Sequence, residues 1–176
     1  METIFKLEKA QSSIHWVGRK VTGSHDGTID LKEGVFTFKD NSLSGGKFVI
    51  DTNSIVILDI TDPDTNAQFA GHLASDDFFN SLQYPEAYFE ITSVTSGTSS
   101  HIEGNLTIKG ITNPVAFDAA IVISDNTVTL SGKIKVDRTK FGMKFRSGNF
   151  FTNLGDTLIY NEFDLDVVVL AKKENN

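Results

Sequence analysis

Hydrophobic residues in this chain recur at every second position, and they do so in segment after segment from one end to the other. Ile14 and Trp16 share a face opposite His15, Val17 and Arg19. Gly34, Phe36 and Phe38 share another, with Val35 and Thr37 opposite. Phe48 and Ile50, Phe89 and Ile91, Leu106 and Ile108, Ile121 and Ile123, Val128 and Leu130, and Ile134 and Val136 continue the pattern. A period of two belongs to a β-strand with one face covered. The final segment, Thr157 to Leu170, alternates more loosely through Ile159, Phe163, Leu165 and Val167 and closes on the apolar run Val167–Leu170. Polar clusters at Lys39–Ser42, Ser96–Ser100 and Ser124–Asn126 separate the segments and have hairpin length. About eight such strands in a meander are what a closed antiparallel barrel needs. The expected fold is therefore all-β: an eight-stranded antiparallel barrel, in one domain spanning residues 1–176.

One segment departs from this period. Residues 63–85 read PDTNAQFAGHLASDDFFNSLQYP. Asp64 or Thr65 is the expected helix cap, and Phe69 and Leu73 at i, i+4 share one helical face. Asp76 and Asp77 suit the start of a second short helix ending near Leu82, with Phe78, Phe79 and Leu82 as its apolar side chains. The reading is a short helical insert over about 64–82, lying against one mouth of the barrel.

The chemistry-bearing patterns are mostly missing. Neither a P-loop nor a G-x-G-x-x-G fingerprint occurs, and there is no G-x-S-x-G elbow, so no cofactor is called for. With no cysteine, thiolate metal sites and thiol nucleophiles are excluded. His15, His25, His72 and His101 lack the short spacing of metal ligands. The acid pairs Asp62/Asp64, Asp76/Asp77 and Asp164/Asp166 suit, in turn, a solvated loop, a helix start and a solvent-facing strand. A net charge of −7, from 23 acidic and 16 basic residues, disfavours nucleic acid and anionic surfaces as partners. Residues 1–11 carry Glu2, Lys6, Glu8 and Lys9 and do not resemble a signal peptide. No segment approaches the ~20 apolar residues of a membrane span. The expectation is a soluble cytoplasmic protein, or a periplasmic one if the chain is a processed form.

With 14 Phe against three Tyr and one Trp, the interior is a Phe-rich core, a greasy cavity, or both. Two polar residues stand near the expected mouth. Arg138, in DRTKFGMKF, either pairs with Asp137 at the surface or turns inward, where it needs an acidic partner. His72 either fixes the insert or meets a ligand head group.

The stretches SSIHWVGRKVTGSHDGTIDLKEGVFTF (12–38), GHLASDDFFNSLQYPEAYFEIT (71–92), GNLTIKGITNPVAF (104–117) and DRTKFGM (137–143) together resemble the YceI-like family of polyisoprenoid-binding, lipocalin-like proteins. The resemblance implies an extended eight-stranded barrel with a small helical insert, an apolar interior channel holding a long isoprenoid or similar amphiphile, and often a homodimer. It places the family's pieces on His72 and Leu73, Asp77 to Phe79, Tyr84 with Pro85, and on Gly104, Leu106, Thr107, Gly110, Thr112 and Pro114. Two departures stand out. Ala70 and Gly71 occupy the place of a frequent Arg-Asp, and Lys20 that of a frequent His at the end of the first strand.

The ligand-binding candidates are Trp16, Phe36, Phe48, Phe69, His72, Phe78, Phe89, Leu106, Phe117, Arg138, Phe141 and Phe145, on the assumption that these faces point inward. The leading expectation is a binding or carrier protein for a long apolar lipid, a polyisoprenoid or isoprenoid quinone-like molecule. Two rivals remain open. One is an enzyme on a similar substrate using His72, Asp77 or Arg138; the other is a filled-core, stress-related interaction module. The Val167–Leu170 run is available to a homodimer interface.

Overall fold

The computed structural model describes residues 2–148, 150–151, 154–155 and 158–174. Nine strand segments form one antiparallel sheet: β1 (Glu2–Leu7), β2 (Ser13–Lys20), β3 (Gly23–Lys39), β4 (Ser42–Ile57), β5 (Glu86–Thr95), β6 (Ser100–Ile108), β7 (Ile111–Ile123), β8 (Thr127–Asp137) and β9 (Ile159–Lys173). From β2 to β9 each strand pairs with the next, and β2 pairs with β9, so the sheet closes into a barrel. Closure removes the exposed edges that make open sheets prone to aggregation.

The barrel has eight positions although it has nine segments. β1 and β2 both lie between β3 and β9: β1 pairs with the far halves of those strands (Phe5 with Phe36 and Lys173), and β2 with the near halves (Ile14 with Ile29 and Val167). They are one barrel strand broken by a 3-10 turn at Lys9–Gln11. The break is sealed by Ser12, whose Oγ accepts the Leu170 N–H at 3.0 Å and donates to the Glu8 carbonyl at 2.9 Å. The Glu8 N–H also reaches the Leu170 carbonyl at 2.8 Å, so the break is bonded to β9 by backbone and side chain together.

Turn chemistry sets the hairpins. Asp40 and Asn41 (φ 50° and 68°) link β3 to β4, and Lys109 and Gly110 (φ 55° and 73°) link β6 to β7. Both are two-residue loops with two positive φ values, the geometry that matches strand twist.

The inward faces meet in one core holding Phe5, Phe36, Phe38, Ile102, Val128 and Val136, all nearly inaccessible. Along β3 the alternation slips once. Leu31 faces Ile50 while Glu33 faces Val49, a bulge at Lys32. Odd residues therefore point inward before it (Ile29, Leu31) and even ones after it (Gly34, Phe36, Phe38). The final strand begins at Ile159; its expected start, Thr157, lies outside the described residues.

The insert holds one helix, α1 (Pro63–Ala74). Its cap is Asp62, not Asp64 or Thr65: Asp62 Oδ2 accepts the Thr65 N–H at 2.9 Å, and Pro63 takes the first helical position, where its missing N–H is harmless. The expected second helix does not form. Residues 75–83 make successive turns, with the Phe78 N–H and Asn80 N–H both returning to the Ser75 carbonyl. Asn80 takes a positive φ of 46°, which a helix would not tolerate. Leu82, expected among the apolar side chains of that helix, is 96% exposed.

Candidate functional site

Where the inward side chains stop short of the barrel axis, a cavity of about 440 Å³ runs along it. Its wall is drawn from every position of the barrel: Ile14 and Trp16 on β2, Ile29, Leu31 and Phe36 on β3, Phe48, Ile50 and Ile55 on β4, Ala87, Phe89 and Ile91 on β5, Leu106 and Ile108 on β6, Val115 and Phe117 on β7, Leu130 and Ile134 on β8, and Phe163 to Val169 at alternate positions on β9. An eight-stranded barrel is wide enough for its side chains to fill it or to leave room for one small ligand, and here the axis is left open.

What keeps the axis open is a set of glycine seats. Trp16 lies over Gly27, its cross-strand partner; a Cβ on Gly27 would stand 2.6 Å from the indole. Phe48 lies over Gly34, where a Cβ would stand 2.3 Å from the ring. Phe89 lies over Gly104, and Phe117 against Gly132. Each ring is laid along the wall, in space its neighbour leaves empty, and so does not project to the centre. The Trp16 N–H is satisfied by the Thr28 carbonyl at 3.1 Å, which turns its polar edge away from the cavity.

One end of the channel is mixed in character. α1 lies there through Phe69, His72 and Leu73, with the i, i+4 pair Phe69 and Leu73 on the same side. His25 on β3 anchors it. The His25 ring is 4.8 Å from that of Phe69, and its Nδ1 is 2.8 Å from Asp59 Oδ2. Partial burial raises the Asp59 pKa, but the Asp26 N–H and His25 outweigh it and leave the carboxyl below its ordinary value. His72 sits between two rings, 5.0 Å from Phe78 and 4.7 Å from Phe145, with Nε2 2.9 Å from Asp77 Oδ2. It thus ties α1 to the connection between β8 and β9. Beyond Phe145, the Arg146 guanidinium lies 4.9 Å over the ring.

Arg138 turns inward and is 3% exposed. The surface pair with Asp137 is not formed. The inward alternative holds, but without the acidic partner expected for it. Its Nη1 donates to the Met143 carbonyl at 2.7 Å, its Nε to Tyr160 at 3.0 Å and its Nη2 to Ile159 at 3.0 Å. Burial draws its pKa down against the pull of nearby Asp137, yet a guanidinium keeps its proton in proteins. Its role is to clamp the β8–β9 connection. Asp137 instead accepts the Thr139 N–H.

Trp16, Phe36, Phe48, Phe69, His72, Phe78, Phe89, Leu106, Phe117, Arg138 and Phe145 all border the cavity. Phe141 does not: it is 1% exposed within the core, and Met143 takes the wall position in that segment. The carboxylate of Asp164, expected in solvent, is buried on the outer face of β9. Arg19 covers it, with Nη1 2.8 Å from Oδ2, and Oδ1 is left without a partner. Asp166, two residues on, is exposed as expected. Sequence reasoning missed His25, Arg19, Arg146 and Glu162 on the cavity border; Lys20, noted in the place of a frequent His, borders it as well. For His25 a signal existed, since it shares the odd-numbered face of Gly27 and Ile29.

The three candidates for catalysis, His72, Asp77 and Arg138, do not all converge. His72 and Asp77 meet, but the Arg138 donors go to backbone carbonyls. Among the described residues, no group of three or more His, Asp or Glu is arranged to hold a metal, and no helix is long and apolar enough to cross a membrane.

The chain resembles known proteins in both sequence and fold. It is 34% identical to protein YceI of Escherichia coli O17:K52:H18 over 131 residues, 73% of this chain and 65% of the relative, and 34% identical to protein YceI of Salmonella arizonae over 133 residues. It thus matches somewhat less than two thirds of the length of those relatives. Its fold is that of Burkholderia cenocepacia BcnA (TM-score 0.70, 19% identity, 94% of this chain and 99% of that one). It is also that of a polyisoprenoid binding domain from Saccharophagus degradans (TM-score 0.69, 14% identity, 97% and 98%). The YceI-like domain model matches residues 5–171, so the barrel, its helical insert and the channel between them are those of a member of the YceI-like family.

Proposed function

We propose that the protein binds and carries a long apolar or amphiphilic lipid, a polyisoprenoid or isoprenoid quinone-like molecule, inside the barrel. The observation that carries this reading is the hollow, almost wholly hydrocarbon-lined axis. The wall on β9 extends from Ile159 to Val169. At ~3.3 Å per residue and a strand tilt of ~40°, that is about 25 Å along the axis. An acyl chain spans only half of a ~30 Å bilayer core, so the channel suits a longer tail. Burial supplies ~25 cal/mol per Å² of tail removed from water, with no demand for precise polar geometry. The polyisoprenoid binding domain from Saccharophagus degradans, which shares the fold, supports the same ligand class. A filled-core module is disfavoured by the cavity itself.

The test is native mass spectrometry and solvent extraction of purified protein, followed by titration with a long-chain prenol and an isoprenoid quinone. One lipid per chain is expected. A protein that is repeatedly empty and takes up neither added compound would overturn the reading.

A further inference from the structure

Antiparallel connectivity puts the β2–β3 turn, the end of β4, the 75–84 turns, the β6–β7 hairpin and the β8–β9 connection at one end of the barrel, around the mixed mouth of the channel. Most of the exposed large apolar side chains belong to this end: Val21, Leu58, Leu82, Ile111, Phe150, Phe151 and Tyr160. The opposite end exposes Val122 and Ile123 on the β7–β8 hairpin. The apolar points at the mouth sit on separate loops surrounding an opening.

Charge is divided around the same rim. Asp59, Asp62 and Asp64 lie on the side of β4 and α1. On the β8–β9 connection Lys140, Lys144 and Arg146 are exposed over the buried Arg138, and residues 138–151 carry no acid, the nearest rim acids being Asp77, bonded to the His72 that packs on Phe145, and Asp76. Lys144 Nζ stands 4.8 Å over the Phe150 ring, so a cation and an exposed aromatic are presented together. Basic residues interleaved with exposed aromatics suit the interface of an anionic bilayer, even on a chain whose net charge is −7.

We propose that the mouth of the barrel docks on an anionic lipid bilayer, with Phe150, Phe151 and Leu82 entering the headgroup layer and Lys140, Lys144 and Arg146 facing lipid phosphates. The inference rests on the carrier reading. Phe5, Phe38, Ile102 and Val128 are buried in the core and do not border the channel, which opens among the polar residues of this mouth; a mouth seated on the membrane spares an entering tail the passage through water.

The experiment is vesicle co-sedimentation of the full chain, using phosphatidylcholine vesicles with and without a quarter of phosphatidylglycerol. Binding is expected to the anionic vesicles and to weaken as salt is raised. The triple variant Lys140→Gln, Lys144→Gln, Arg146→Gln should lose about fivefold in partitioning per charge removed, about a hundredfold in all. Phe150→Ser with Phe151→Ser should lose binding while circular dichroism stays that of the parent. Val122→Ser with Ile123→Ser, at the other end, should bind as the parent does. Equal binding to neutral vesicles, or no loss in the Phe variant, would overturn the proposal. So would a solution dimer that the Phe variant dissolves with no vesicle binding at all, which would assign the rim to a second copy. Uptake of a dispersed prenol is read separately. A protein that takes up prenol and ignores vesicles loses only the docking inference; one that binds vesicles and never takes up lipid loses only the carrier reading.

Discussion

The ring of Phe48 lies on Gly34, directly opposite it on the neighbouring strand, so closely that a methyl group on Gly34 would stand 2.3 Å from the ring. The three atoms nearest to such a methyl all belong to that one side chain, so the ring must move and the backbone need not. Gly34→Ala is therefore expected to swing Phe48 toward the axis and narrow the channel. Long-tail binding should fall at least tenfold, while stability changes by only about 1–3 kcal/mol, the scale of overpacking in a core. Isothermal titration and urea denaturation of the same variant separate the two effects. Unchanged lipid affinity would show that the seat does not set the bore.

Trp16 is the only tryptophan of the chain and borders the cavity. A lipid in the channel replaces whatever lies beside the indole with hydrocarbon, so emission should shift to the blue and saturate at one lipid per chain. Trp16→Phe should abolish the signal and leave binding nearly intact, since the wall keeps an aromatic. A fluorescence titration paired with a radiolabelled-lipid assay checks this.

Arg138 holds three backbone carbonyls from within the protein. Arg138→Met removes the donors and leaves buried acceptors open. A loss of roughly 3–5 kcal/mol is expected, as charged hydrogen bonds contribute ~1.5–3 kcal/mol each and unmet buried groups carry a penalty. Arg138→Lys should recover little, because an ammonium cannot reproduce the planar fork that reaches Met143, Ile159 and Tyr160 together. The midpoint of guanidinium denaturation reports both variants. Full rescue by Lys would mean that charge alone matters there.

His101 on β6 lies 2.9 Å from Asp118 on β7. The hydrogen bond to Asp118, helped by the charges of Asp118 and Glu103, raises its pKa above the ordinary 6.5. A raised folded-state value means that the stabilisation is fully present below about 6.5 and fades as pH rises through the folded-state midpoint. NMR titration of the ring protons should place the His101 midpoint above 6.5, and Asp118→Asn should bring it back down. A wild-type midpoint at or below 6.5 would contradict this.

Much of this protein can be read along the chain, because the deciding information is local. Alternation through Ile14–Trp16, Phe89–Ile91 and Leu106–Ile108 names strands and their faces, since a pleated backbone sends successive side chains to opposite sides. Asp40–Asn41 marks a hairpin because both residues accept positive φ. What the chain alone could not decide depends on residues far apart in sequence. The bulge at Lys32 reverses which residues of β3 point inward, and it exists only in the register of β3 against β4. Arg138 dispenses with an acid because three carbonyls from beyond residue 142 converge on it. Asp164 is buried because Arg19, from the other end of the chain, lies over it. Whether the barrel is plugged or open was a tertiary matter too: Phe48, Phe89 and Phe117 lie against glycines of other strands, and those pairings are made by the closed sheet.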